Sequence, residues 1–229
     1  MDMNKNNEKG RADKRNPLLR GLKSLEGPFD RFDPSSLPAA PGELFLQWFE
    51  EALRKKVQEP HAATLSTVDP DGRPDARILI LKDVHDDTFY FASGMESRKG
   101  QQLQRLPYAA LTFYWPALGR QIRLRGRVSD TGAQEGAEDL RRRGTEARAL
   151  AMLGRQSRQL DSEEQLEQAL AEQREVLQSD PEAVTPLWRL WALELEEAEF
   201  WQADPDRKHT RIQYRLSGEG RWEHGLLWP

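Results

Sequence analysis

The spacing of apolar residues changes several times along this chain, and each change marks an element. From Pro41 onward Leu44, Phe45, Trp48, Phe49, Ala52 and Leu53 recur at helical spacing as one stripe, with Pro41 suited to the first helical position. The period then shortens. AATLSTV (62–68) reads as a strand, Asp69-Pro70-Asp71-Gly72 as a turn, and DARILILK (75–82) as the next strand. TFYFA (88–92) and AALTFYW (109–115) follow as third and fourth candidates. RQIRLRGRV (120–128) alternates strictly, so Ile122, Leu124 and Val128 face one way and Arg123, Arg125 and Arg127 the other.

From about residue 133 to 178 the chain turns to Ala, Glu, Gln, Arg and Leu, which favour helix. Ser162 with Gln165 makes a capping box for a helix running through Leu177. After Pro186 strand patterns return in LWRLWALELEEAEFW (187–201), RIQYRL (211–216) and the closing RWEHGLLWP (221–229), with Gly218-Glu219-Gly220 as a hairpin turn. Helix, antiparallel strands, helices and strands, in that order, predict a mainly β fold with flanking helices: a closed barrel with the helices packed outside. Residues 1–17 are polar and poor in bulky apolar groups, which predicts a disordered tail. Residues 18–40 read as irregular chain lying on the remainder, and 41–229 as the domain itself. Trp48 belongs to the helix stripe and is expected in the core rather than against a ligand.

Composition removes several classes of function. The 229 residues carry 34 basic and 38 acidic side chains, a formal net charge of −4, which gives no general attraction to nucleic acid or to an anionic membrane. There is no cysteine, so disulfides, thiolate nucleophiles and cysteine-ligated metals are excluded. The four histidines (His61, His85, His209, His224) have no metal-type spacing. No apolar run approaches the roughly 20 residues that cross a bilayer. The N-terminus lacks the apolar core of a secretory signal, and a cytoplasmic location is expected.

Three clusters carry candidate chemistry. Arg77 and Lys82 stand at the two ends of one strand, followed by Ser97-Arg98-Lys99, where Ser97 can cap a helix whose first N–H groups suit an anion. These groups together would hold a phosphate dianion; for SRK alone, a capped helix with solvated charges is the favoured account. Arg207, His209 and Arg211 would share one face of a strand, either around an anion or electron-rich ring, or as a charged, aggregation-resistant edge. Gln121 and Gln156-Ser157 are neutral groups able to read the edge of a polar heterocycle, although surface glutamines are common.

Taken together, these pieces resemble the pyridoxamine 5'-phosphate oxidase family in order and spacing, from about Leu44 to Pro229. The matching segments are RILILK (77–82), SRKGQQ (97–102), GRQIRLRG (119–126), RQS (155–157), EFWQ (199–202) and R-x-H-x-R (207–211), with Trp222 and Pro229 suiting the family's ending. The resemblance implies an antiparallel, Greek-key, FMN-binding split β-barrel, dimeric, with a C-terminal dimerisation segment at about 186–229. It implies two FMN molecules in clefts between the subunits of a homodimer. FMN contacts carried over by position are Arg77, Lys82, Ser93, Ser97, Arg98, Lys99, Gln121, Gln156, Ser157, Trp201 and Arg211, some from the partner subunit. Arg207 and His209 match catalytic, substrate-contacting positions over the flavin face. The implied reaction is oxidation of pyridoxamine or pyridoxine 5'-phosphate to pyridoxal 5'-phosphate, with O2 as acceptor and H2O2 as product.

Two departures bear on the substrate. The family holds the substrate's phosphate with a Lys, a Tyr, an Arg and a Ser; here Lys82 and Arg143 are kept, but Asp139 and Ala147 stand at the other two positions. Losing one good contact to a charged group costs about 1.5–3 kcal/mol. Where the family has Trp-Gly-Gly and an aromatic, this chain has Trp188-Arg189-Leu190-Trp191. The segment LEGPFDRFDPSSLP (25–38) looks closer to the family's phenazine-biosynthesis branch, whose substrates are tricyclic carboxylates. A related oxidase acting on another ring, such as a dihydrophenazine carboxylate, is therefore a second expectation. A flavin-binding split barrel without turnover is a third; the R-x-H-x-R segment argues for catalysis, since storage needs no clamp above the flavin.

Overall fold

The computed structural model describes residue 19 and residues 21–229; the tail expected at 1–17 lies outside them. Residues 21–40 form neither helix nor strand. Helix α1 (Pro41–Arg54) follows, with Pro41 in its first turn and Leu44, Phe45, Trp48 and Ala52 buried. Leu53, at the margin of the stripe, stays exposed. Phe45 anchors α1 to the barrel, meeting Phe89 edge-on with ring centroids 4.8 Å apart and Phe113 at 5.1 Å.

The strands are β1 (Ala62–Val68), β2 (Pro74–His85), β3 (Thr88–Gly94), β4 (Tyr108–Trp115), β5 (Arg120–Asp130), β6 (Trp188–Gln202), β7 (Thr210–Leu216) and β8 (Trp222–Leu226). All neighbours are antiparallel, in the order β3-β2-β1-β4-β5-β6-β7-β8. The run 3-2-1-4 is a Greek key, and β3 pairing with β6 closes six strands into a barrel. On that same edge β6 leaves β3 at Glu194 and takes up β7 from Glu197 onward, which carries the last two strands off the barrel.

Alternation decides what fills the interior. Ile122, Leu124 and Val128 are buried, whereas Arg123, Arg125 and Arg127 are exposed, as their spacing predicts. On the outer face Arg123 pairs with Glu199 at 3.1 Å and Arg125 with Glu197 at 3.2 Å across to β6. A bulge between Leu81 and Asp83 interrupts β2 at Lys82 and re-aims that side chain.

The helical stretch divides into α3 (Ala133–Arg141), α4 (Thr145–Met152) and α5 (Glu163–Ser179); α2 (Arg98–Arg105) follows β3. Ser162 caps α5, its hydroxyl accepting the Gln165 N–H at 3.2 Å. The Gln165 side chain returns to the N–H of Asp161 rather than to that of Ser162. Helices α4 and α5 share a small core of their own, Ala149, Leu170 and Leu177. Helix α3 lies so close to the start of β6 that a Cβ on Gly136 would stand 2.4 Å from the Trp188 carbonyl oxygen.

Candidate functional site

Ser97 ends β3's turn and starts α2. Its hydroxyl accepts the Gly100 N–H at 3.2 Å and donates to the Gly94 carbonyl at 2.7 Å. A Cβ on Gly100 would lie 2.4 Å from the Gly94 and Met95 carbonyl oxygens, so glycine is what lets the helix start sit against the strand end. Beside it Arg77 donates to the Thr67 hydroxyl at 2.6 Å and reaches Asp75 at 2.8 Å. Arg98 reaches the same Asp75 oxygen at 3.2 Å, and Gln102 donates to it at 3.1 Å. The loop after α4 closes this nest: Lys99 donates to the Gln156 side chain at 3.0 Å, and the Arg98 N–H to the Ser157 hydroxyl at 3.4 Å. Ser157 holds a left-handed backbone, φ 73°, which is uncommon outside glycine.

Charge in this nest is unbalanced. Arg77, Arg98 and Lys99 face one carboxylate, Asp75. Loss of hydration, together with repulsion from Arg77, pushes the Lys99 ammonium down to about 8. The Asp75 carboxyl is held below its ordinary value by the Gln102 hydrogen bond and by Arg77 and Arg98, against a desolvation effect that opposes them. Asp75, Thr67 and Gln102 are not among the site residues the sequence singles out. Asp75 was within reach of them, since it lies two residues before Arg77 on one strand and shares its face.

A second acid–cation cluster stands at Asp139, whose two oxygens are both engaged. One meets Lys82 Nζ at 3.3 Å; the other meets Arg143 Nε at 3.0 Å and accepts the Trp188 indole N–H at 2.8 Å. The Arg143 guanidinium lies 4.3 Å from the centre of the Trp188 ring. The sequence therefore named Lys82, Arg143 and Asp139 individually, and folding ties them together. A cavity of about 440 Å³ adjoins both clusters, with Ser97, Gln156, Arg143, Ala147, Leu153 and Trp188 among its walls.

The remaining candidates lie on the outer face of the barrel. Gln121 on β5, Trp201 on β6 and Arg211 on β7 stand opposite one another across three strands. Arg211 pairs with Glu199 at 3.0 Å and donates to the Trp228 carbonyl at 2.8 Å. The His209 ring stands 4.7 Å from that of Trp201, and its Nδ1 accepts the Asp204 N–H at 3.1 Å, which leaves Nε2 to carry the proton of a neutral ring.

Arg207, His209 and Arg211 do not share a strand face. Only Arg211 lies on β7; Arg207 and His209 belong to the preceding turn, where Asp204 accepts the Asp206 N–H and Arg207 adopts φ 63°. The Asp204-Pro205-Asp206 turn chemistry overrides the extended period there. Ser93 is nearly enclosed, its hydroxyl accepting the Trp191 indole N–H at 3.1 Å, so it does not join the other candidates. Among the described residues no hydrogen bond or ion pair joins the outer row to the cationic nest.

Comparison with known proteins places the chain in a family and a fold. The family model described as pyridoxamine 5'-phosphate oxidase matches residues 49–187. The model of the pyridoxine 5'-phosphate oxidase C-terminal dimerisation region matches residues 188–229. A pyridoxine/pyridoxamine 5'-phosphate oxidase of Ectopseudomonas mendocina is 40% identical over 221 residues, covering 95% of this chain and 98% of that protein. One from Bacteroides thetaiotaomicron is 37% identical, covering 85% and 92%. Among solved structures, PhzG from Burkholderia lata, in complex with tetrahydrophenazine-1-carboxylic acid, superimposes with a TM-score of 0.82 at 29% identity, over 89% of this chain and 100% of that one. A pyridoxamine 5'-phosphate oxidase-related, FMN-binding protein of Nostoc punctiforme shares the fold, with a TM-score of 0.68 at 20% identity over 84% and 100%.

Proposed function

Because this chain belongs to the pyridoxamine 5'-phosphate oxidase family, we propose that it oxidises a carbon borne on a pyridine or related ring and passes the electrons to O2. As a member of that family it is an FMN-dependent oxidase. The observation that carries the reading is the nest at the start of α2, whose donors suit a phosphate on chemical grounds. Three cations outnumber one carboxylate, and the helix start adds N–H groups and the positive end of its dipole. Lys99, kept below its ordinary range by desolvation and Arg77, is a cation that an arriving anion would stabilise.

In this proposal Arg77, Ser97, Arg98 and Lys99 hold the FMN phosphate, with Lys82 at the far end of β2. Gln121, Gln156, Ser157, Trp201 and Arg211 hold the ring system and its edge. Bound FMN would supply the ring that accepts a hydride and hands its electrons to O2. Arg207 clamps the substrate ring, and His209, held by Asp204 and tilted against Trp201, orients it. Neither has to act as a strong base. For an alcohol the balance is R–CH2OH + O2 → R–CHO + H2O2; for an amine one water enters and ammonia leaves.

A homodimer accounts for the separation of the two groups. The nest and the outer row lie on different faces of one chain, so a cofactor gripped by both requires a second copy. Ile78, Ile80 and Tyr114 leave exposed apolar surface on the barrel, and the dimerisation-region match spans the last strands. Among the described residues no helix is long and apolar enough to cross a membrane; a cytoplasmic location is part of the proposal.

Pyridoxamine or pyridoxine 5'-phosphate is the first substrate reading, supported by the names of relatives about 40% identical over most of the chain. Asp139 favours a second, a ring without that phosphate, such as a dihydrophenazine carboxylate. Mixing the holoprotein anaerobically with pyridoxine 5'-phosphate tests the first. Rapid bleaching of the flavin, with H2O2 formed on readmitting air, is expected under it; no bleaching at millimolar concentration would end it.

A further inference from the structure

We propose that Asp75 is a built-in counter-ion of the cationic nest: it holds Arg77 and Arg98 together in the flavin-free protein and, by staying beside them, weakens the grip on the FMN phosphate. This rests on the placement of that phosphate in the nest and goes beyond it, since Asp75 is given no contact with FMN.

Asp75 and Arg77 stand two residues apart on one face of β2, the face that buries Leu81. A single Asp75 oxygen, Oδ2, takes three partners: Arg77 Nη2 at 2.8 Å, Arg98 Nε at 3.2 Å and the Gln102 amide at 3.1 Å. Four side chains close a ring of donors and acceptors. Arg77 donates to the Thr67 hydroxyl at 2.6 Å, Thr67 to Gln102 Oε1 at 2.6 Å, and Gln102 to Asp75, which pairs back with Arg77. Thr67 and Gln102 are enclosed, at 2% and 4% exposure, so neither finds water as a substitute partner. The ring fixes the acid against Arg77. The Gln102 hydrogen bond, with Arg77 and Arg98, holds the Asp75 carboxyl below its ordinary value against desolvation, and it is ionised at neutral pH.

The same carboxylate acts in opposite directions on two states of the protein. Without a phosphate, Arg77, Arg98 and Lys99 repel one another, and Lys99 already carries the repulsion of Arg77. The acid relieves this. With a phosphate dianion in the nest, the acid lies beside a like charge and shares Arg77 and Arg98 with it. Arg77 keeps Thr67 and Gln102 whether or not Asp75 is charged, so Arg98 alone depends on the acid for its ordering. Ordering one such side chain is worth about two- to tenfold in affinity. Repulsion between a full charge and a dianion a few ångströms apart in a partly desolvated nest exceeds that. Repulsion wins.

The test compares FMN with riboflavin, which has the same ring and no phosphate. Both are titrated into the full-length protein freed of flavin and into Asp75→Asn, which keeps the size and an oxygen acceptor but loses the charge. Flavin fluorescence quenching gives the four dissociation constants, and urea unfolding gives the stability of each flavin-free protein. Asp75→Asn should bind FMN about tenfold more tightly and riboflavin within about twofold of the unmodified protein. Its flavin-free form should unfold at lower urea. A residue that only supported the fold would lose stability and FMN affinity together. The proposal is overturned by FMN affinity that is unchanged or weaker in the variant, by an equal gain for riboflavin, or by a urea midpoint that does not fall. Asp75→Ser carries the same readings if Asp75→Asn does not fold. Failure of the phosphate placement has its own signature and overturns both readings: Arg98→Ala combined with Lys99→Ala then leaves FMN binding intact, whereas failure of the Asp75 role alone leaves that double variant weak.

Discussion

Asp75 and Asp139 each sit among cations, yet the two clusters are built for opposite ends. Around Asp75 three cations gather, and one of them, Lys99, is held near 8 by desolvation and by Arg77. Around Asp139 there are two, and the carboxylate takes hydrogen bonds or ion pairs from both and from an indole. Exposure differs in the same direction: the Asp139 side chain is 10% exposed and that of Asp75 26%. The first cluster retains an excess that a dianion can neutralise, and the second has largely neutralised itself. Counting residues of one sign is therefore a poor guide to where an anion goes; the charge left over after internal pairing is a better one.

The comparison can be broken in several places. The largest effect is expected from Arg98→Ala combined with Lys99→Ala, which should weaken FMN binding by about two to four orders of magnitude, given about 1.5–3 kcal/mol for each charged contact. Quenching of free FMN fluorescence on titration with apoprotein measures it, and full retention of FMN would put the phosphate elsewhere. Next come the two acids. Asp139→Ala strips an enclosed carboxylate from three partners and should cost about 3 kcal/mol, the low end for a buried pair. Asp75→Ala, more exposed, should cost about 1 kcal/mol at most. Urea unfolding of the two apoproteins side by side tests the ranking, and equal losses would erase the distinction.

The smallest effect is in pH. Lys99 in the apoprotein loses its proton near 8, and phosphate favours the protonated form, so FMN affinity should fall as pH rises past about 8, by at most roughly tenfold per unit. The apoprotein itself should move the other way. The unfolded chain keeps this proton up to its ordinary value of 10.5, so between about 8 and 10.5 the unfolded state binds more protons and stability rises with pH. An FMN affinity flat from pH 7 to 10 would remove Lys99 from the nest.

Much of the fold was legible before any coordinate, because its signals are local. Period-two alternation marks β5, Asp69-Pro70-Asp71-Gly72 sets off β1 from β2, and Ser97 and Ser162 cap the helices that follow them. The misreading at Arg207-x-His209-x-Arg211 was also local. The extended period breaks at an Asp-Pro-Asp segment whose side-chain and backbone hydrogen bonds make a turn, a signal present in the sequence. The cations of both clusters, and Asp139, were named through the resemblance and through charge, but Asp75 was not, and neither were the pairings. Asp75 pairs through a strand face and Asp139 through the bulge at Lys82 and the approach of α3 to β6.

What the sequence determined by itself is the list of parts: strand periods, capped helices, the cations of the nest, the Gln121, Trp201 and Arg211 positions, and membership of a family. What only the tertiary structure decided is which charges cancel. Coulomb energy depends on distance and surroundings rather than on order along the chain. Residues 57 apart, such as Lys82 and Asp139, become neighbours only when the barrel has closed and α3 has docked on it.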